Sequence, residues 1–314
     1  YRYIPFTRSS KSAMESELNR RNYLNVAAYI GNVLVSYLIG ARGVGNAETN
    51  EYLSLKYQTL VTPDSFSFSI WAIIFLAQAA FTIAQLLPNK RSMPLVQEGI
   101  KDYYIGACVC QILWTFFFGN EYITLSFIAM IGILAMLFLL FQESSKIDAE
   151  GEKIDQYFLF RFPFTIHLGW IIVASFVNLN VLIVSWNANR GVLTTTAVLT
   201  IIALLSVATY ATWWMKVDLT IPLVFAWALF GVAVELQNPK QSIVAQFRDS
   251  TIEKMHFVAG FATLIICILV TARAVKTYVK VKSLEGLCGG EEDVLSVVDE
   301  DGDIQDPSAD YVKV

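Results

Sequence analysis

Charge is what this chain has least of. Of its 314 residues only 16% are Asp, Glu, Lys or Arg, where soluble domains carry roughly 25%. The charges gather in short stretches and leave apolar runs longer than the ~18 residues that mark a membrane-spanning helix. Mean hydropathy is +0.51. A soluble globule is excluded, and the chain reads as an integral membrane protein whose first partner is the lipid bilayer. Histidine is almost absent, with two residues, so a multi-histidine metal site is excluded and no metal centre is expected. The cysteines, at 108, 110, 267 and 288, are scattered and imply no disulfide framework. Cys108 and Cys110 are two apart on a helix, point to different faces and read as packing residues. No H-E-x-x-H, P-loop, G-x-S-x-G or dinucleotide fingerprint occurs. No carboxylate sits in the middle of a span, where ion-coupled transport usually needs one. Enzymatic activity and a nucleic-acid partner are therefore not expected.

Eight apolar segments, about 22–41, 65–87, 101–119, 121–142, 158–187, 191–215, 219–236 and 253–277, read as transmembrane helices. The fold class is an all-α integral membrane protein, a polytopic helical bundle of about eight transmembrane helices with both termini on the same side. Links at 119–121, 187–191 and 215–219 are so short that the helices they join must form antiparallel hairpins. With this count, fifteen Lys and Arg residues fall on the side of the termini and six on the other. That bias makes the termini side the cytosol-equivalent one: cytoplasm, stroma or matrix.

Residues 1–21 form a basic segment that lacks a secretory apolar core. Two readings stand: a shortened chain, or a mature chain whose transit peptide has been removed, which places it in a chloroplast or mitochondrion. Residues 278–314 form an acidic, disordered tail suited to a protein partner. Its "DEDGD" departs from a calcium loop in the position of its glycine and has no glutamate at the right distance.

Polar groups inside the spans fall on narrow stripes. At about 100° per residue, His167, Asn178 and Ser185 share one face of the fifth span, and Trp170 flanks them. On the second span Ser67, Gln78, Thr82 and Gln85 cluster around Trp71. The third adds Gln111 and Trp114, and the seventh adds Trp227 and, at its end, Glu235. Such stripes must face other helices or a cavity, because lipid satisfies no hydrogen bonds. Ser, Thr, Asn and Gln commonly glue helices together, and that reading covers the threonines of the sixth span. Trp186, Trp213 and Trp214 read as interfacial anchors. The other tryptophans, beside the amides, match the aromatic walls and few convergent polar groups of a ligand cavity. His167 is either a hydrogen-bonded packing residue or an axial ligand to a tetrapyrrole metal. Arg161 either snorkels to the headgroups or pairs with a loop carboxylate.

The segments "TPDSFSFSIWAIIFL", "ILWTFFFG", "RFPFTIHLGWIIVASFVNLNVLI" and "VFAWALFGVAVELQ" together resemble the long form of the tryptophan-rich sensory proteins. That family is related to the translocator protein, the peripheral-type benzodiazepine receptor. The resemblance covers about residues 22–277, with a translocator-like core at about 65–187. Trp71 matches the Trp of the family's first core helix. Gln111 and Trp114 match its N-x-x-W with Gln for Asn. "IHLGW" and Asn178 match its P-Y-L-A-W and the Asn eight residues after that Trp, with the spacing from Trp170 to Asn178 intact. His167 stands where the family has tyrosine, Pro163 is displaced, and Phe75 replaces a tyrosine. The resemblance implies a bundle that binds a flat, apolar molecule, such as a porphyrin, a chlorophyll-type pigment or a sterol.

The candidate ligand-binding set is thus Trp71, Gln78, Gln111, Trp114, His167, Trp170, Asn178 and Trp227. Two other readings stand beside it. One is a structural or assembly subunit of a large photosynthetic or respiratory membrane complex. The other is a carrier of a small apolar metabolite.

Overall fold

The computed structural model describes residues 18–147, 153–214 and 218–292. Among them every regular element is helical. The chain divides into two compact units, Tyr1–Cys267 and Ile268–Val314.

Helix α1 (Arg20–Val35) starts at Asn19, whose side chain accepts from the N–H groups of Arg21 and Asn22. It continues as a π-helical segment, Ser36–Ala41. A short α2 (Asn50–Lys56) is capped by Thr49. A 3-10 turn, Ser65–Ser69, then feeds α3 (Ile70–Ala84). α4 (Tyr103–Gly119) and α5 (Ile123–Lys146) follow, then α6 (Ile154–Phe160) and α7 (Phe162–Ser185). α8 (Arg190–Trp214), α9 (Thr220–Gln237), α10 (Gln241–Gln246) and α11 (Asp249–Glu292) complete the order.

Among the described residues seven helical segments are long and apolar enough to cross a membrane. The eighth apolar helix is α4, with 17 residues. At 1.5 Å per residue it rises about 26 Å, slightly less than the ~30 Å hydrocarbon layer. The expected division at 119–121 is present. Glu121 takes φ 60 there, and the left-handed residue turns α4 back into α5.

Three boundaries differ from the sequence reading. The expected segment 158–187 is two helices, separated at Arg161, which has φ −112 and ψ −55. Pro163 explains the break: it offers no N–H and disfavours helical geometry just before it, so it belongs in the first turn of a new helix. The segment 65–87 opens as a 3-10 turn instead of an α-helix. The last helix runs past 277 to Glu292, because "YVKVKSLEG" contains no breaker before Gly286. The rest of the acidic tail, 293–314, and most of the basic N-terminal segment lie outside the described residues.

α7 and α9 occupy the interior of the first unit. Of their apolar windows 56% and 67% is buried, against 17% for α1. Small residues let α4 and α5 interlock. A Cβ on Gly106 would meet Met136 Sδ at 2.8 Å, and one on Gly132 would meet Cys110 Sγ at 2.9 Å. These glycines therefore serve contacts within the chain. An aromatic layer of Phe81, Tyr104, Phe160 and Phe164 packs edge to face, with centroids 4.9–6.3 Å apart. Charged groups pair outside the apolar spans or at their ends: Arg21 with Asp102, Lys90 with Asp155, Lys101 with Glu143 and Lys240 with Glu235. Arg161 donates to the carbonyls of Ser144 at 2.8 Å and Ile147 at 3.1 Å. It thus caps the open C-terminal end of α5, where a cation also offsets the helix dipole.

Candidate functional site

The closest polar assembly lies where α3, α4 and α7 meet. Gln78, on α3, is fully buried. Its Oε1 accepts from the Tyr104 hydroxyl at 3.3 Å. That leaves its Nε2 to donate to Nδ1 of His167, 2.9 Å away. With the amide in this orientation Nδ1 is the acceptor nitrogen, which puts the imidazole proton on Nε2. Nε2 is buried and has no hydrogen-bond partner among the described residues. Three residues on, Trp170 is 2% exposed, and its indole Nε1 is likewise buried without a partner. Trp71 stands against both, with ring centroids 5.7 Å from His167 and 6.3 Å from Trp170. Phe68 closes edge-on over Trp170 at 5.7 Å. Two orphaned donors thus sit in an aromatic box.

Phe68 is delivered by the 3-10 turn, which α9 holds in place. Asp64 N donates to the carbonyl of Gly231 at 3.0 Å. Trp227 Nε1 donates to the Ser67 carbonyl, also at 3.0 Å, and its ring packs edge-on against Phe66 at 5.1 Å. Trp227 is 37% exposed. It clamps the turn from outside and is not a wall of the box.

The remaining expected residues form no single site with these four. Trp114 Nε1 donates to Asn178 Oδ1 at 3.1 Å, and its ring stacks on Phe118 at 5.2 Å. Asn178 lies eight residues beyond Trp170, about 12 Å along the axis. Trp114 packs against an apolar cluster of Leu53, Phe118, Ile123, Val181 and Leu182. Gln111 is buried and its Oε1 has no partner. Seven of the eight expected residues, all but Gln111, are thus divided among three places: the Trp71–Gln78–His167–Trp170 box, the Trp114–Asn178 pair and the Trp227 clamp.

Sequence reading missed the partners that α1 supplies. Asn22, Asn25 and Asn32 are all buried. Asn25 Nδ2 donates to Gln85 Oε1 at 2.9 Å, and Gln85 Nε2 donates to the Asn22 carbonyl at 3.1 Å. The signal was in the spacing: 22, 25 and 32 fall within about 80° of one another on a helix. Tyr104 was also missed, since the tyrosine pair 103–104 at the start of an apolar run carries no periodic pattern. Helix packing accounts for one of the sixth-span threonines: Thr200 Oγ1 accepts from Asn180 Nδ2 at 2.9 Å, while Thr196 bonds back to the Val192 carbonyl of its own helix.

All-helical architecture among the described residues and multiple apolar spans define a multi-pass membrane protein. The family model described as TSPO-like protein matches residues 22–273. The chain belongs to that family. No curated protein and no solved structure matches it.

Proposed function

We propose that this protein binds, without catalysis, a flat apolar molecule bearing a hydrogen-bond acceptor, and that the Trp71–Gln78–His167–Trp170 box is where it binds. One observation carries the reading: His167 Nε2 and Trp170 Nε1 are both buried and unpartnered. Each such orphan costs about 1–3 kcal/mol, and a carboxylate, carbonyl or hydroxyl on a ligand would offset both. Trp71 is half-buried, which gives the box one side open to movement of the ring. A metal-free porphyrin with its propionates, or a sterol hydroxyl, fits two donors between aromatic walls. An axial bond from His167 to iron or magnesium does not fit this hydrogen-bond arrangement. It needs a lone pair on Nε2, and the amide orientation on which this reading rests keeps the proton there.

The test is titration of the purified full chain in mild detergent with protoporphyrin IX and, separately, with cholesterol, read by tryptophan fluorescence. Saturable binding by either is expected. Trp170→Phe, which keeps an aromatic ring and removes the donor, and His167→Phe should each weaken it about tenfold, the worth of one such hydrogen bond. Absence of saturable binding by both ligands, or binding that neither substitution changes, overturns the proposal.

A further inference from the structure

We infer that α11 pairs in parallel with α11 of a second copy of this chain, through an apolar seam that continues past the bilayer. The helix has 44 residues and rises about 66 Å, more than twice the ~30 Å hydrocarbon layer. Its stretch 255–272 holds no Asp, Glu, Lys or Arg and by itself rises about 27 Å. Arg273, Lys276, Lys280 and Lys282 follow, so the helix leaves the hydrocarbon near Arg273. The apolar side chains do not stop there. Val275, Tyr278, Val279 and Val281 are 49–66% exposed, at a level where lipid tails no longer cover them.

The spacing fits a copy of the same helix. Stepping from Phe257 by four and three residues in turn ends at Lys282, and each position reached is exposed. That is a heptad, whose a and d side chains fit between those of an identical helix. Ile268, Val275 and Lys282 fall at a, and Thr271 and Tyr278 at d. Val279 and Val281 fall at the flanking e and g positions and widen the seam. On the opposite side Val270 is buried, and Arg273 and Thr277 are half-buried.

Charge decides between a second copy and other occupants. Lys276 falls at b, and Arg273 and Lys280 at f, so these three cations point away from the seam and two copies can meet along it. Lys282 is the exception, and Glu285, at the next d position, ends the apolar run. A lone Lys at an a position fixes register at some cost in stability. The acidic residues of 283–314 would need cations in the seam, and the seam offers only Lys282. An anionic bilayer surface would take the b and f cations and leave the valines uncovered. Two copies inserted the same way in one membrane present α11 in parallel, related by a two-fold axis along the membrane normal. The β-branched Ile268 and Val275 at a favour two strands. The family match ends at 273, so the seam beyond it is this chain's own extension. This surface is independent of the aromatic box.

Disulfide cross-linking of the full chain in phosphatidylcholine vesicles tests the pairing, in a background carrying Cys267→Ser and Cys288→Ser. Facing d positions alone approach the Cβ separation of about 4 Å that a disulfide needs, so Tyr278→Cys should join two copies about tenfold faster than Lys280→Cys, at f. Adding Val275→Glu, which sets like charges across the seam, should slow the d-position reaction about tenfold, while Val275→Ile should leave it unchanged. Deleting residues 293–314 should change neither rate. Equal rates at the two positions, or no cross-link at either, overturns the inference. A d-position cross-link that appears only after the deletion assigns the seam to the chain's own acidic tail and overturns it too. One abolished by adding dioleoylphosphatidylglycerol assigns the seam to the anionic bilayer surface, with the same result.

Discussion

Replacing Gly231 by alanine is the sharpest test of how the aromatic box is held. A Cβ built on Gly231 falls 1.9 Å from Ser67 Oγ, 3.0 Å from Pro63 Cβ and 3.1 Å from Ser67 Cβ. The first distance is impossible, so something must move. Ser67 is fully buried on a turn pinned by two hydrogen bonds to α9, and its short side chain has little room to swing. Overpacking of this kind costs about 1–3 kcal/mol, and we expect Gly231→Ala near the upper end. Ser67→Ala should behave oppositely. Its hydroxyl is buried and unpartnered, so removing it should be neutral or stabilising. In the double variant the 1.9 Å clash is gone and only the contacts near 3 Å remain. The alanine at 231 should then cost about 1 kcal/mol, which gives a coupling of at least about 1 kcal/mol between two residues in contact. Equilibrium unfolding of the four proteins of the cycle, by detergent titration or heat, measures it. Strict additivity would refute the close approach of the turn to α9, and with it the placement of Phe68 over Trp170.

Gln78→Leu should destabilise by about 1–3 kcal/mol, because it strands the Tyr104 hydroxyl and His167 Nδ1 together. A stability equal to wild type by the same unfolding assay would show that the relay is not formed. Where the end of α2 meets the α4–α5 turn, hydrogen bonds from Lys56 and Tyr57 hold the Glu121 carboxyl below the ordinary glutamate value of 4.5. A lowered folded value means this contact stabilises fully above pH 4.5 and is lost as the pH falls through that lower value. Amide exchange over α2 should therefore rise in acid, and Glu121→Gln should flatten that pH dependence. An identical acid rise in the variant would show that another group is responsible.

Fold class was readable because it depends on sums. Eight long apolar runs and a short supply of charge survive any error of a few residues, and the lipid environment allows only helices to satisfy such runs. What the runs conceal is local chemistry. Hydropathy gives "FLFRFPFTIHLGW" as one segment, yet Pro163 divides it, and the freed Arg161 swings to the carbonyls ending α5. The "SFSFS" before Trp71 is apolar enough to pass for helix. It is a tighter turn because Phe66 and Phe68 pack on two different helices, one on Trp227 and the other on Trp170.

The site was half readable for a related reason. Helical angles say which residues of one helix share a face, and they correctly set His167 beside Trp170 and Trp71 beside Gln78. They say nothing of depth or of which neighbour answers. Asn178 shares the His167 face, but about 12 Å of axial rise hands it to Trp114, and that bond satisfies the indole completely. Gln85 shares the face of Gln78, but α1 takes it with Asn22 and Asn25. A stripe of amides is thus consumed one partner at a time, wherever a second helix brings a matching group. What distinguishes the box is that two donors, His167 Nε2 and Trp170 Nε1, are left without a partner in one aromatic enclosure. A residue pattern cannot report that remainder, because it is a property of three helices and one turn together.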